Sequence, residues 1–407
     1  MIRRRLLPWS AAAIGALLLA GCGAGGQSES RSAAQVEESS TVSTPEQAHP
    51  ARKSVPPPPS APLRAGERFL DLAMPAAYSP EAPTASGTDD YRCFLLDPEL
   101  VDPAFITGVD VVPGQPEIVH HVILFRVPAE QVPVATAADQ ATDGQGWTCF
   151  GGTGLDAGDS PGGDLSSAPW VGAWAPGGGE SMMAPDIGIP LEAGSRIVMQ
   201  VHYNLAAGND ADASQATLRL ADGSAGLEAL ETVLLPGPVE LACRAEHSDG
   251  PLCSRDAALF EVMERFGEEA GTTAAGLQLL CDGDFASPQA SPVQTCDRRI
   301  QEPTTVRAAA GHMHLLGTSI KIEVNAGTDT ARTLLDVPVW DFDNQKAQPL
   351  PEPVVLQKDD VVRVTCEHDQ AKRDMLPAFE GKPDRYVLWG EGTTDEMCLG
   401  ILMVTHP

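Results

Sequence analysis

From Arg68 onward the chain is a succession of short apolar or alternating runs separated by Gly, Pro, Asp and Asn. They include Ile118 to Val127, Arg196 to Tyr203, Thr217 to Leu220, Ser319 to Val324, Val361 to Cys366 and Leu399 to Val404. Runs of this length and composition, bounded by turn residues, read as strands. Repeated through a long chain, they predict an all-β fold of antiparallel sandwiches. One segment breaks the pattern: Asp256 to Phe266 sets Leu259, Val262, Met263 and Phe266 at helical spacing. A short helical insertion is expected there, with Asp256 as N-cap and Gly267 at its end.

The first residues follow neither period. Arg3, Arg4 and Arg5 precede the apolar run Ala11 to Ala20 and then Gly21-Cys22, the arrangement of a signal peptide over 1–21. That run is too short to span a bilayer as a stable helix. Leu18-Leu19-Ala20-Gly21-Cys22 resembles the bacterial lipobox, which implies lipidation of Cys22 and anchoring in the cell envelope, at the outer membrane or the exported surface. Residues 22–65, rich in Ser, Ala, Gln, Glu and Pro and including Pro56 to Pro59, hold too little apolar surface to fold and read as a disordered tether. The remainder suits two domains, expected at 66–222 and 223–407, the second carrying the insertion at about 243–296.

A net charge of −29 argues against nucleic acid as a partner, because phosphate binding is carried by Lys and Arg. Contact with a membrane is expected only through the lipid. Of nine cysteines, setting aside Cys22 leaves an even number in an exported chain, the signature of disulfides. No Cys-x-x-Cys spacing supports a zinc ribbon or a thioredoxin-type site. Cys243 and Cys253 precede the predicted helix while Cys281 and Cys296 follow it. Four cysteines allow three pairings, of which the nested one, Cys253 with Cys281 and Cys243 with Cys296, is preferred as a staple for its base.

Five of the nine histidines fall in three short β-like segments: His120 and His121, His202, and His312 with His314. Alternate side chains on a strand share a face, so His312 and His314 can reach one metal while Met313 points away. Adjacent His120 and His121 would face opposite ways, so joint ligation with His202 requires a bulge or a strong local twist. A lone strand histidine is ordinarily half-buried and hydrogen-bonded, but five buried imidazoles without metal or partners would be costly. Imidazole suits copper, zinc, iron or nickel, whereas a thioether favours Cu(I), and Met397 lies beside Cys398. Asp210 with Asp212 and Asp341 with Asp343 are candidates for calcium loops, read here as solvated acidic faces. Gly158 to Gly162 matches a Gly-x-Ser-x-Gly elbow only formally, because it sits in the Gly-rich stretch Gly151 to Gly163. His49, His247, His368 and His406 are taken as non-ligands.

His120-His121, the Gln-Val-His-Tyr around His202, the His-x-His-x-x-Gly at His312 and the Glu-Met-Cys at Met397 together resemble, in order and spacing, the copper type II, ascorbate-dependent monooxygenases, from about Tyr91 to the C-terminus. This family includes peptidylglycine α-hydroxylating and dopamine β-monooxygenases. The resemblance implies two jelly-roll-like β-sandwiches, each with one copper, facing across a solvent-filled cleft. It assigns His120, His121 and His202 to an electron-storing copper, and His312, His314 and Met397 to a copper that activates dioxygen. Gln200 and Tyr91 match family positions, and the bridges Cys93 with Cys149 and Cys366 with Cys398 are transferable. There are departures. Ala310, Leu399 and Ile401 stand where peptide-amidating members grip a carboxylate, Val122 replaces a Met, and Met313 a Thr. An apolar side chain cannot donate to a carboxylate, so a glycine-extended peptide is a poor fit.

The function expected is a monomeric, copper-dependent monooxygenase. It would hydroxylate a C–H bond of a small substrate with dioxygen and ascorbate or another external one-electron reductant. The alternatives are a non-catalytic envelope protein that stores or senses copper on the same ligands, and a purely structural sandwich.

Overall fold

The computed structural model describes residues 61–406, except 84–86, 143, 156–169, 282 and 285. The expected signal peptide, Cys22, the tether to residue 60 and the Gly158 to Gly162 motif lie outside the described residues. The first half of the chain forms β1 (Arg68–Ala73), β2 (Asp89–Leu96), β3 (Ala104–Val112), β4 (Val119–Val127), helix α1 (Val132–Gln140), β5 (Trp147–Thr148), β6 (Trp170–Trp174), β7 (Ser181–Met182), β8 (Ile187–Leu191), β9 (Arg196–Asn204) and β10 (Gln215–Asp222). The second half adds β11 (Glu228–Gly237), β12 (Glu240–Leu241), helices α2 (Arg255–Phe266) and α3 (Glu268–Leu280), β13 (Val293–Arg299), β14 (Thr304–His312), β15 (Gly317–Val324), β16 (Arg332–Val337), β17 (Gln348–Leu356), β18 (Val361–His368), β19 (Val387–Leu388) and β20 (Cys398–Thr405). Strands hold 42% of the described residues and helices 14%, so the fold is all-β with a small helical insertion. All six apolar runs singled out in the sequence lie on strands: β4, β9, β10, β15, β18 and β20.

A five-stranded sheet, β5-β2-β9-β4-β6, serves the first half, and a four-stranded sheet, β13-β18-β15-β16, serves the second. A third path, β1-β10-β3-β8-β11-β20-β14-β17 with β7 on β3, runs through both halves. It passes from one to the other where β8 and β11 pair in parallel, Glu228 opposite Ile187 and Ala229 opposite Gly188. The described residues therefore belong to one compact unit. On β9, Ile197, Met199, Val201 and Tyr203 face the core of the first half. The opposite face is covered too: Val198, with Phe125 and Val127 of β4, joins the cluster that holds Met397, Leu399 and Ile401. A strand buried on both sides reads as a nearly continuous apolar run, and Gln200 and His202 are the polar interruptions, both on the second of these faces.

Three local expectations need correction. The N-cap of α2 is Ser254, whose hydroxyl accepts from the Ala257 amide. Asp256 instead lies in the first turn, where its charge meets the positive end of the helix dipole. Second, the helix does not stand alone. Gly267, at φ +87°, turns the chain directly into α3, a backbone conformation that side chains rarely adopt. Third, the cysteines around the insertion pair in sequence rather than nested, Cys243 with Cys253 and Cys281 with Cys296. The second helix is the reason: α3 delivers Cys281 to β13, which carries Cys296, instead of returning it to the start of α2. The bridges Cys93 to Cys149 and Cys366 to Cys398 are as expected. Four disulfides fit an oxidising, extracellular-type environment, and among the described residues no helix is long and apolar enough to cross a membrane.

The described fold includes residues 61–65, which were expected to lie in the tether. Ala61 already donates to Glu180 and accepts from the buried Arg219, so the fold begins before residue 66.

Candidate metal centre

His120 sits at an irregularity in the β4–β9 ladder. Val119 is opposite Tyr203 and His121 is opposite His202, so His120 is the extra residue between them. The bulge required by the sequence is therefore present, and it turns two adjacent imidazoles toward the same strand. His120 Nδ1 lies 2.8 Å from His202 Nδ1, and His121 Nδ1 lies 3.4 Å from it. The three residues form a group that could hold a metal ion. Imidazole nitrogens bound at about 2.0 Å to one metal would sit about 2.8 to 3.5 Å apart for bond angles between about 90° and 120°, so the spacing fits.

For His202, His312 and His314 the tautomer follows from the partner on the far side of the ring. His202 Nε2 is 2.9 Å from an Asp89 carboxylate oxygen, so Nε2–H donates and the Nδ1 lone pair faces the other two rings. Burial pushes the Asp89 carboxyl up, but the His202 hydrogen bond and nearby charge outweigh it and hold the group well below its ordinary value. Thr88 and Thr393 hydroxyls also donate to Asp89. Tyr91 stacks on His202 at 3.9 Å and 15°, and its hydroxyl donates to the Glu391 carbonyl.

The second set is built differently. His312 is the last residue of β14, opposite Leu399 of β20. His314 lies two residues further on, beyond the strand. Continuing the register brings Met397 alongside His314 on the same face. His312 Nδ1 is 2.6 Å from Gln345 Oε1 and His314 Nδ1 is 3.2 Å from the Asp395 carbonyl. Both acceptors require Nδ1–H, which leaves Nε2 of each ring as the lone-pair nitrogen. His314 Nε2 is buried and has no hydrogen-bond partner among the described residues. Such an orphaned nitrogen is costly unless something absent from the protein chain meets it. The carboxylate of Glu396, fully buried, accepts from the His314, Leu316 and Met397 amides and so fixes the backbone on which His314 and Met397 stand. Met313 points away into the core, as the strand period requires.

The two sets are not separated by a solvent-filled cleft at the imidazoles, contrary to what the resemblance implies. Ring centres of His120 and His314 are 6.0 Å apart, as are those of His121 and His312. Phe342 from the second half stacks on His120. Burial, followed by the mutual repulsion of neighbouring imidazoles, lowers His120 and His121 well below the usual histidine range. His312 is lowered to about 3 for the same reasons. His202 and His314 are also lowered by burial, partly offset by neighbouring carboxylates. Burial thus favours the neutral form of all five rings, the form that ligates a metal.

Gln200 and Tyr91 stand apart from the lone pairs. Gln200 donates to the Gly152 carbonyl and Tyr91 braces His202 by its ring face. Both positions hold the surroundings of the site. Ala310, Leu399 and Ile401, by contrast, are buried together in the register beside His312 and are all apolar.

Sequence reasoning missed Asp89, Gln345, Asp395 and Glu396, because each reaches its histidine across a long stretch of chain. Asp212, read as part of a solvated face, is fully buried and accepts from Tyr203, Ser214 and Gln115. Asp341 only caps its own turn, at the Asp343 amide. His368, set aside as a non-ligand, is buried with Nε2 near the Met397 carbonyl and Glu396. His247 and His406 pair with Asp384 and Glu231 on the outside, and His49 lies outside the described residues.

No family model and no curated protein matches the chain. Among solved structures it is similar to an allantoicase, at 9% identity over 80% of this chain and 90% of that one, with a TM-score of 0.17. It is also similar to a fucolectin from striped bass (Morone saxatilis) serum, at 7% identity over 84% and 97%, with a TM-score of 0.16. An 11S globulin from Wrightia tinctoria follows at 9% over 83% of each chain, with a TM-score of 0.15. At these scores the likenesses carry no weight for the site.

Proposed function

We propose that this protein is a copper-dependent monooxygenase that hydroxylates a C–H bond of a small, apolar substrate with dioxygen and an external one-electron reductant such as ascorbate. The observations that support the reading are the His120, His121 and His202 nitrogens within ligating reach of one another and the His312 and His314 rings with centres 5.2 Å apart, on a register that continues to Met397. Neutral imidazoles serve both oxidation states of copper, and the thioether favours Cu(I) at the second set. When bound, two coppers would supply the two electrons that reduce dioxygen as one oxygen atom enters the substrate and the other leaves as water.

The chain's own residues do the rest. Asp89 orients His202, Gln345 orients His312 and Asp395 orients His314, each by accepting the proton of the nitrogen that does not ligate. Burial of His202 and His314, both with no exposed surface, keeps bulk water from the reacting groups. Ala310, Leu399 and Ile401 place no hydrogen-bond donor beside His312, which disfavours a carboxylate substrate.

The envelope location of a lipid-anchored chain belongs to the same proposal and rests on the Cys22 motif.

Metal content with X-ray absorption on reduced wild type and Met397→Ala tests the reading. Two coppers and a sulfur scatterer that the substitution removes are expected, together with reductant-dependent oxygen uptake coupled to a hydroxylated product. Copper bound in the right ratio without turnover on a broad substrate panel would instead favour a copper-storing protein.

A further inference from the structure

The helical insertion ends on the candidate centre. Arg265, in the last turn of α2, is a charged residue on the buried face of its helix. Its guanidinium grips the Asp395 carboxylate with two bonds, 2.9 Å from Nη1 to Oδ2 and 2.6 Å from Nη2 to Oδ1. Glu261, one turn earlier, holds the same guanidinium at 2.7 Å. Asp395 is fully buried, and its carboxylate also accepts from the Gly392 amide. The backbone carbonyl of the same residue is the acceptor for His314 Nδ1. Side chain and carbonyl of one residue thus link the insertion to a ligand ring.

The segment from Trp389 to Met397 closes tightly around that carboxylate. A β-carbon at Gly390 or Gly392 would come within 2.8 Å of Asp395, so the loop has little room to settle elsewhere. Its other contacts face the first set, through Thr393 on Asp89 and the Glu391 carbonyl under Tyr91. Arg385 pairs with Asp395 as well and with Glu261 at 2.8 Å. Removing Arg265 alone therefore does not strand a buried carboxylate.

We infer that the insertion is a positioning element for the second ligand set: Arg265, by fixing Asp395, holds His314 in the Nδ1–H tautomer and aims its Nε2 at the metal. This rests on the proposed copper reading for its consequence, but the tautomer claim stands without metal. A bidentate guanidinium–carboxylate pair is a geometric clamp as well as a charge contact, and partners behind metal ligands are worth about 10- to 100-fold in metal affinity.

The test uses the full chain with its disulfides intact. In metal-free protein, histidine side-chain nitrogen NMR should report His314 as Nδ1–H in wild type. Arg265→Gln should mix the tautomers, and Arg265→Lys should do so less. Leu259→Ala loosens the packing of the same helix on the Tyr386 and Leu388 cluster and should leave the tautomer alone. On titration with Cu(I), R265Q should weaken the His312/His314/Met397 set by about 10-fold or more while the His120/His121/His202 set stays within about threefold. An unchanged tautomer in R265Q, or equal weakening of both sets, overturns the inference. If R265Q does not accumulate folded, R265K carries the same readouts, and absence of any shift in it overturns the inference equally. Wild type that takes up no copper at the second set would end the proposed function, while the tautomer comparison would still decide the role of Arg265.

Discussion

The two ligand sets use the same side chain but depend on different kinds of structure. His121 and His202 face each other across a regular antiparallel ladder, with Tyr91 on the next strand and His120 forced in by a bulge. Backbone pairing on three neighbouring strands fixes that set, and one carboxylate, Asp89, completes it. His312 stands at a strand end, His314 beyond it and Met397 just before β20. Their aim is set by side chains and loop backbone: Gln345, the Asp395 carbonyl and the Glu396 carboxylate. Ladders resist local motion, whereas loops and strand ends open at lower free energy. The first set is therefore the more rigid and the second the more adjustable; on the proposed reading, the first would relay electrons and the second would admit oxygen and substrate.

Deleting one ring from each set probes this contrast most strongly. His202→Ala should lose the first copper and leave the second bound, and His312→Ala should do the reverse, with oxygen uptake lost in both. Metal stoichiometry settles it, and loss of both coppers in either variant would mean that the two sets form a single interdependent site. A smaller effect is expected from the partners behind the rings. Asp89→Asn keeps the shape but accepts the His202 proton poorly, and should weaken copper at the first set by about 10- to 100-fold. Gln345→Leu should do the same at His312, toward the lower end of that range because the lost acceptor is neutral. Equal losses would remove the distinction drawn between carboxylate and amide support.

The smallest effect concerns the segment that joins the sets. Burial pushes the Glu391 carboxyl up to about 7. A carboxyl raised above its unfolded value contributes stability at pH below that value and loses it as pH rises through the folded one. In metal-free protein, Glu391→Gln should therefore gain thermal stability relative to wild type as the pH is raised from about 5 to about 8. Parallel melting profiles for the two proteins across that range would show that Glu391 does not feel this burial.

How much of this was legible depends on distance along the chain. The strand character of Ile118 to Val127 and Arg196 to Tyr203 is local, so composition and turn residues reveal it. The need for a bulge at His120 follows from period two alone. The nested disulfides failed because Glu268 to Leu280 has a weak apolar stripe and no clear start signal beyond Gly267, and the second helix changes which cysteines meet. Asp89 lies in an ordinary acidic stretch with nothing to distinguish it from Asp90, yet only Asp89 faces His202; Asp90 instead accepts from Tyr78.

By itself, the sequence determined the all-β class, the strands that carry the histidines, and the alternation that sends Met313 inward and His312 outward. These are consequences of side-chain period and burial within a few residues. Only the tertiary structure decided that the five imidazoles gather into one cluster, which nitrogen of His202, His312 and His314 is free, and that Arg265 of the insertion reaches Asp395. Those outcomes depend on which strands become neighbours and which loops close over them, and contacts between residues hundreds of positions apart leave no periodic trace in the chain.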